Sequence, residues 1–188
     1  MNIKFIDDKY VYFGSFIQNS GEKEPIKWKI VNKEDNILTL IADVILYNMD
    51  FDIRYSDYSK SQIRKYLNNE FLNLAFCKEE QELIIETKLE DDVIDKVYLP
   101  SKEELVNKSR AELVRKTTLY AINNKASSCN EKCEYKGNGW YWTRTPYKPP
   151  YDPNRSNHVW YVTYRGELNS RPVWGYDIGV VPMIRVKI

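Results

Sequence analysis

Four of the chain's five tryptophans, Trp140, Trp142, Trp160 and Trp174, crowd between residues 140 and 174. Three of them sit in stretches that read as strands. The first is Gly139-Trp140-Tyr141-Trp142-Thr143-Arg144-Thr145-Pro146 and the second is His158-Val159-Trp160-Tyr161-Val162-Thr163-Tyr164. A third strand, Gly179-Val180-Val181-Pro182-Met183-Ile184-Arg185-Val186, closes the set, with Trp174 in the loop before it. Aromatic and β-branched residues at this density favour a packed sheet. Side chains alternate along a strand, so Trp140, Trp142 and Arg144 share one face, opposite Tyr141 and Thr143. Two tryptophans on one face read as core. Arg144 is then drawn inward and needs a carboxylate or carbonyl partner.

The first half of the chain reads as strands followed by helices. Val11 to Ile17 is a strand, with Gly14 at a bend or close backbone approach. Ile26, Trp28 and Ile30 alternate with lysines in a half-buried strand, and Ile37 to Ala42 continues as a deeper one. A helix starts at Ser59 or Ser61, with Ile63, Tyr66, Leu67, Phe71 and Leu74 in one apolar stripe. A shorter helix covers about Lys78 to Ile85, and Cys77 reads as a small buried apolar residue. Lys96 to Leu99 is a short strand. Ser101 and Glu104 fit a capping box, and Thr117 to Ile122 a further helical turn. Loops follow at Ala126 to Asn138, at the proline-bearing Tyr147 to Asn157, and at Arg165 to Ile178. Strands, then helices, then strands imply an α+β fold, here one domain over residues 1–188.

Net charge is +1, which argues against a bulk electrostatic grip on nucleic acid. The charge is uneven: Glu79 to Asp95 is acidic, and the aromatic C-terminal part is mildly basic. No run reaches the roughly 20 apolar residues of a membrane helix, and the first residues lack a signal-peptide core. The expected compartment is the cytoplasm, where Cys129 and Cys133 would stay reduced despite a spacing that permits a disulfide. A zinc site on that pair would need two further ligands, and His158 is the only histidine. His158 has no specified partner to make it a general base, and reads as an edge-of-sheet histidine. No nucleophile elbow, zinc-helix, P-loop or dinucleotide motif is present. Asp152, Asn154, Asn157, Glu167, Asn169 and Asp177 fit no compact calcium motif. No catalytic residue, metal ligand or cofactor is assigned.

One series of motifs resembles a known family. Phe13-Gly14 and Trp28-Lys29-Ile30-Val31 come first, then Ile63-Arg64-Lys65-Tyr66-Leu67-Asn68 with Phe71 and Ala75-Phe76. Trp142-Thr143-Arg144-Thr145-Pro146 and Gly179-Val180-Val181-Pro182-Met183 complete it. In this order they resemble an uncharacterised bacterial group of small domains, often found in gut firmicutes and their phages. The resemblance implies a C-type-lectin-like fold, akin to formylglycine-generating enzymes and retroelement variable proteins. In such a fold the termini share one sheet, two main helices flank it, and a loop-rich C-terminal half carries the ligand surface. Val181 stands where the family pattern has Arg, and Tyr66 where it has Trp. No activity comes with the resemblance. Paired cysteines serve copper-dependent formylglycine chemistry, but Cys129 and Cys133 lie before the Trp-rich strands rather than in the closing segment.

The expected function is that of a non-catalytic recognition module for a protein or glycan. Its binding residues would be Arg144, Tyr147, Tyr151, Arg171, Trp174 and Tyr176, because exposed Trp, Tyr and Arg anchor interfaces and stack on sugars. The alternative is a structural or phage-accessory protein whose aromatic surface mediates oligomerisation; an enzyme of unknown reaction comes third. A phage or secreted assembly joined without its own signal peptide is the alternative to the cytoplasm.

Overall fold

The structure is a computed structural model that describes residues 3–148 and 156–188. Its strands are, in chain order, β1 (Lys4–Phe5), β2 (Tyr10–Ile17), β3 (Lys23–Glu34), β4 (Ile37–Ala42), β5 (Val44–Ile45) and β6 (Tyr47–Asn48). Then come β7 (Thr87–Lys88), β8 (Ile94–Asp95), β9 (Val97–Tyr98) and β10 (Lys116–Thr117). The last five are β11 (Tyr141–Pro146), β12 (His158–Val162), β13 (Leu168–Pro172), β14 (Gly179–Val180) and β15 (Met183–Lys187). A six-stranded sheet has the order β1-β2-β3-β4-β15-β9, so strands from both ends of the chain share it. A five-stranded sheet has the order β13-β12-β11-β14-β6. The fold is mixed α/β, mostly curled antiparallel sheet with short helices.

The alternation in β3 holds for Ile26 and Trp28, which are sealed with Lys27 and Lys29 on the wetter face, but Ile30, at the register shift against β4, is only half-buried. The Trp28 indole N–H donates to the Phe13 carbonyl at 2.7 Å, so its one polar atom is satisfied inside the core. Phe13 packs on Phe76, and Phe16 on Phe71, joining the first sheet to the helices.

Those helices are α1 (Gln62–Tyr66), α2 (Leu72–Ala75), α3 (Lys78–Leu83), α4 (Lys102–Leu105), α5 (Arg110–Leu113) and α6 (Leu119–Asn123). Ser61 caps α1, its Oγ accepting from Arg64 N at 3.3 Å. A π turn at Leu67–Phe71 separates α1 from α2. Its extra residue rotates the apolar stripe. Leu72 and Ala75 therefore turn inward, and Leu74, expected inside, is 48% exposed. The Ser101–Glu104 capping box forms as expected. An unexpected one, Ser109 with Glu112, starts α5.

Other expectations are corrected. Cys77 is exposed and free, because it lies in the extended cap position before α3 rather than inside a helix. Arg165 to Ile178 is not all loop: Leu168 to Pro172 forms β13, a hairpin partner of β12. The single closing strand divides at Val181-Pro182, with β14 in the second sheet and β15 in the first. Trp142 is sealed in the core, but Trp140 precedes β11 and is only half-buried. The C-terminal half thus supplies most of the second sheet, with long irregular connections between its short strands and helices. Cys129 and Cys133 are joined by a disulfide, their Cα atoms 5.9 Å apart, which departs from the expectation of reduced thiols.

Gly14 carries both features read from its sequence position. Its φ of +66° lies in the left-handed region, and an added Cβ would meet the Phe76 ring at 2.5 Å and the Ala75 carbonyl at 2.8 Å. Gly14→Ala is expected to cost about 1–3 kcal/mol, read as a lower midpoint in urea unfolding.

Candidate functional site

The segment after β13 is built to show two aromatic rings. Residues 173–178 keep a two-residue alternation: Val173 and Gly175 are buried, and Trp174 and Tyr176 are 49% and 70% exposed. The backbone is pinned on several sides. Val173 N donates to Asn157 O, and its carbonyl accepts from Phe51 N at 2.9 Å and Asp52 N at 3.2 Å. Asn48 Nδ2 donates to the carbonyls of Tyr176 (2.8 Å) and Asn124 (2.7 Å). Ser127 N holds the Asp177 carbonyl. A Cβ at Gly175 would lie 3.1 Å from the Trp142 ring, so glycine lets the loop settle onto the core. The two exposed rings therefore stand on a fixed backbone.

A second loop runs beside this one. The bonds from Phe51 and Asp52 to Val173 place residues 51–55 next to it, with Ile53 59% and Tyr55 55% exposed. Asp52 shapes that loop: Oδ1 accepts from Arg54 N (2.7 Å) and Tyr55 N (3.0 Å), and Oδ2 from Gln62 N (3.0 Å). In the sequence, Asn48 to Tyr58 shows only as a Tyr- and Asp-rich stretch. Its position beside Val173 depends on contacts between residues more than a hundred positions apart.

The arginines are committed elsewhere. Arg171 lies in β13, where Nη1 pairs with Asp177 Oδ1 at 3.1 Å and the guanidinium stacks 4.7 Å from the Trp140 ring centroid. It braces the loop from beneath. Arg144 is buried, as its strand parity implies. Its Nε and Nη2 meet the Glu90 carboxylate at 2.7 and 2.9 Å, and Nη1 meets Glu104 Oε2 at 2.8 Å and the Leu99 carbonyl at 2.6 Å. Glu104 also caps α4 by accepting from Ser101 N at 2.7 Å. Burial alone would lower the Arg144 pKa, but hydrogen bonds to Glu90 and Glu104 carry it upward. This cluster joins β11, α4 and the acidic segment around Glu90.

Tyr147 is half-buried, with its ring edge-on to Trp160 at 5.0 Å. Tyr151 lies outside the described residues. Of the residues expected to bind, Trp174 and Tyr176 stand together and open, with Arg171 behind them and Arg144 in its own ion cluster. Among the described residues no group of three or more His, Cys, Asp or Glu side chains is placed to hold a metal ion. No described helix is long and apolar enough to cross a membrane.

The profile of a family described as "Domain of unknown function (DUF6273)" matches residues 35–188. The match begins at the turn between β3 and β4, so Phe13-Gly14 and Trp28 to Val31 lie before it and the three later motifs lie within it. No curated protein and no solved structure matches the chain.

The Glu90 carboxyl is held below the ordinary carboxylate value, first by its hydrogen bond from Arg144 and against desolvation. Its contribution to stability is present above the unfolded pKa of about 4.3 and is lost as pH falls through the lower folded value. Glu90→Gln should lower stability at pH 7 by less than about 1 kcal/mol, since the carboxylate is largely exposed. It should also flatten the stability loss on acidification below about pH 4.3, measured by urea unfolding across that range.

Proposed function

The chain belongs to the DUF6273 family, whose description assigns no activity, and from the geometry we propose that it is a non-catalytic recognition module for a protein or glycan. The observation that carries this reading is the pinned segment 173–178, which holds Trp174 and Tyr176 open on a backbone with little freedom to lose. A ligand then meets two large rings whose loop is already ordered, so binding costs less conformational entropy. Ile53 and Tyr55 extend the aromatic and apolar surface on the neighbouring loop. Arg171 positions the loop through Asp177 and Trp140 rather than offering a free charge.

A C-type-lectin-like architecture belongs to this proposal. Terminal strands sharing one sheet, and a second sheet made largely by the C-terminal half, support it. The Cys129–Cys133 bond favours a secreted or phage-assembly setting over the reducing cytoplasm.

Self-association is the second reading, favoured by one observation. Among the described residues β13 forms the edge of its sheet and ends two residues before Trp174, and an open edge can pair with another copy.

Trp174→Ala with Tyr176→Ala should change unfolding free energy by no more than about 0.5 kcal/mol, as for surface sites. The same variant should lose the ligands that wild type captures on a glycan array or from bacterial surface extract. Equal capture by both proteins rejects the recognition surface. A mass from light scattering that stays monomeric across concentration rejects self-association.

A further inference from the structure

A cavity of about 170 Å³ lies between the first sheet and the α4–α5 segment. Ile30, Ile41, Leu105, Leu113 and Met183 give it an apolar floor, and Lys29, Glu104, Lys108, Glu112 and Arg115 give it charged sides. Ile30 and Val31 of its lining lie where β3 slips register against β4, between Ile30 and Asn32. At this site the chain places a cation. Arg115 lines the cavity and is only 6% exposed. Its Nε donates to the Ala42 carbonyl at 3.1 Å, and Nη1 donates to the carbonyls of Glu112 (2.7 Å) and Val114 (2.9 Å). Nη2 has no acceptor among the described residues, yet it is not one of the sealed, partnerless atoms.

Carbonyl oxygens orient a guanidinium without neutralising it. A buried arginine normally meets a carboxylate, and Arg144 in this same chain meets two. Arg115 forms no ion pair among the described residues. The two nearby carboxylates of the lining are engaged elsewhere: Glu104 with Arg144, and Glu112 with Ser109 and Lys29. Lys108, exposed on the rim, adds positive charge. The lining carries three cations against two carboxylates that are already engaged, over an apolar floor, and this suits an anion with an apolar body.

We propose that this cavity binds a small monocarboxylate with an apolar or aromatic body, its carboxylate on Arg115 and its body against Ile41, Leu113 and Met183. The volume is close to that of the engineered cavity of about 150 Å³ that takes up benzene, so one ring or a branched chain of similar size fits. This site shares no lining residue with the Trp174–Tyr176 loop, and it stands or falls independently of the recognition surface.

Titration calorimetry with benzoate, 4-methylpentanoate and the uncharged benzamide tests it on the whole chain. Both carboxylates should bind at one site, at least about tenfold tighter than benzamide. Lys108→Glu, an exposed substitution, should weaken carboxylate binding without changing the melting temperature. Val31→Trp, which fills the mouth, should abolish binding while circular dichroism stays unchanged. A peptide ending in leucine, added in parallel, should bind more weakly than 4-methylpentanoate, because its chain must leave through the mouth. Absence of heat with both carboxylates, or equal binding of benzoate and benzamide, overturns the proposal. So does carboxylate binding that survives Val31→Trp, or a peptide that binds more tightly than the free acid.

Discussion

Two neighbouring chains pass together from one sheet to the other, and the rest of the molecule is arranged around that crossing. β4 leaves the first sheet at Ala42 and the chain enters the second at Tyr47; β14 leaves the second at Val180 and enters the first at Met183. Pairing persists through the bend: Ala42 N donates to the Pro182 carbonyl, and Leu46 N to the Val180 carbonyl. Proline has no N–H to give a ladder, so Pro182 interrupts β14–β15 as a strand while its carbonyl keeps the ribbon joined. Val181 and Pro182 are both buried, so the turn lies inside the core. One hydrophobic core therefore serves both sheets, and the loops of the second are registered against the first.

That registration explains why arginines and aromatics of similar promise have different roles. Arg144 and Arg171 lie on strands of the second sheet, where neighbouring acids can reach them, and both are neutralised within the chain. Arg144 is buried, so losing both carboxylates would strand its charge, whereas Arg171 stays partly in water. Trp174 and Tyr176 lie where the backbone is held but, among the described residues, no element covers the rings. The same ordering that uses up the charges leaves the aromatic surface free.

Much of this was legible in residues whose neighbours in sequence decide their structure. The Ser61 and Ser101 caps, the alternation around Trp28 and the inward turn of Trp142 follow from local pattern. Three kinds of feature were not legible. β13, Leu-Asn-Ser-Arg-Pro, lacks an apolar face because it is an edge strand with intermediate exposure, so it reads as loop. The π turn adds a residue without a compositional mark, so a regular helical spacing puts Leu74 on the wrong side. The Arg115 cavity draws its walls from residues 30, 41, 105, 113 and 183, which only tertiary packing brings together. The candidate site divided in the same way: exposure of Trp174 and Tyr176 follows from a Pro- and Gly-bearing segment, but the loop of Ile53 and Tyr55 joins it through distant hydrogen bonds.

The position of β15 bears on how the chain is made. It lies between β4 and β9, pairing with both, yet it is translated after either. Until β15 is made, the six-stranded sheet lacks its fifth strand, and the edges of β4 and β9 face the gap unpaired. Long-range pairing of this kind is slow to form and prone to capture by other chains. β9 can join the other four strands only once Met183 to Lys187 is in place between them. A ribosome-associated chaperone acting on this chain would have most to do in that interval.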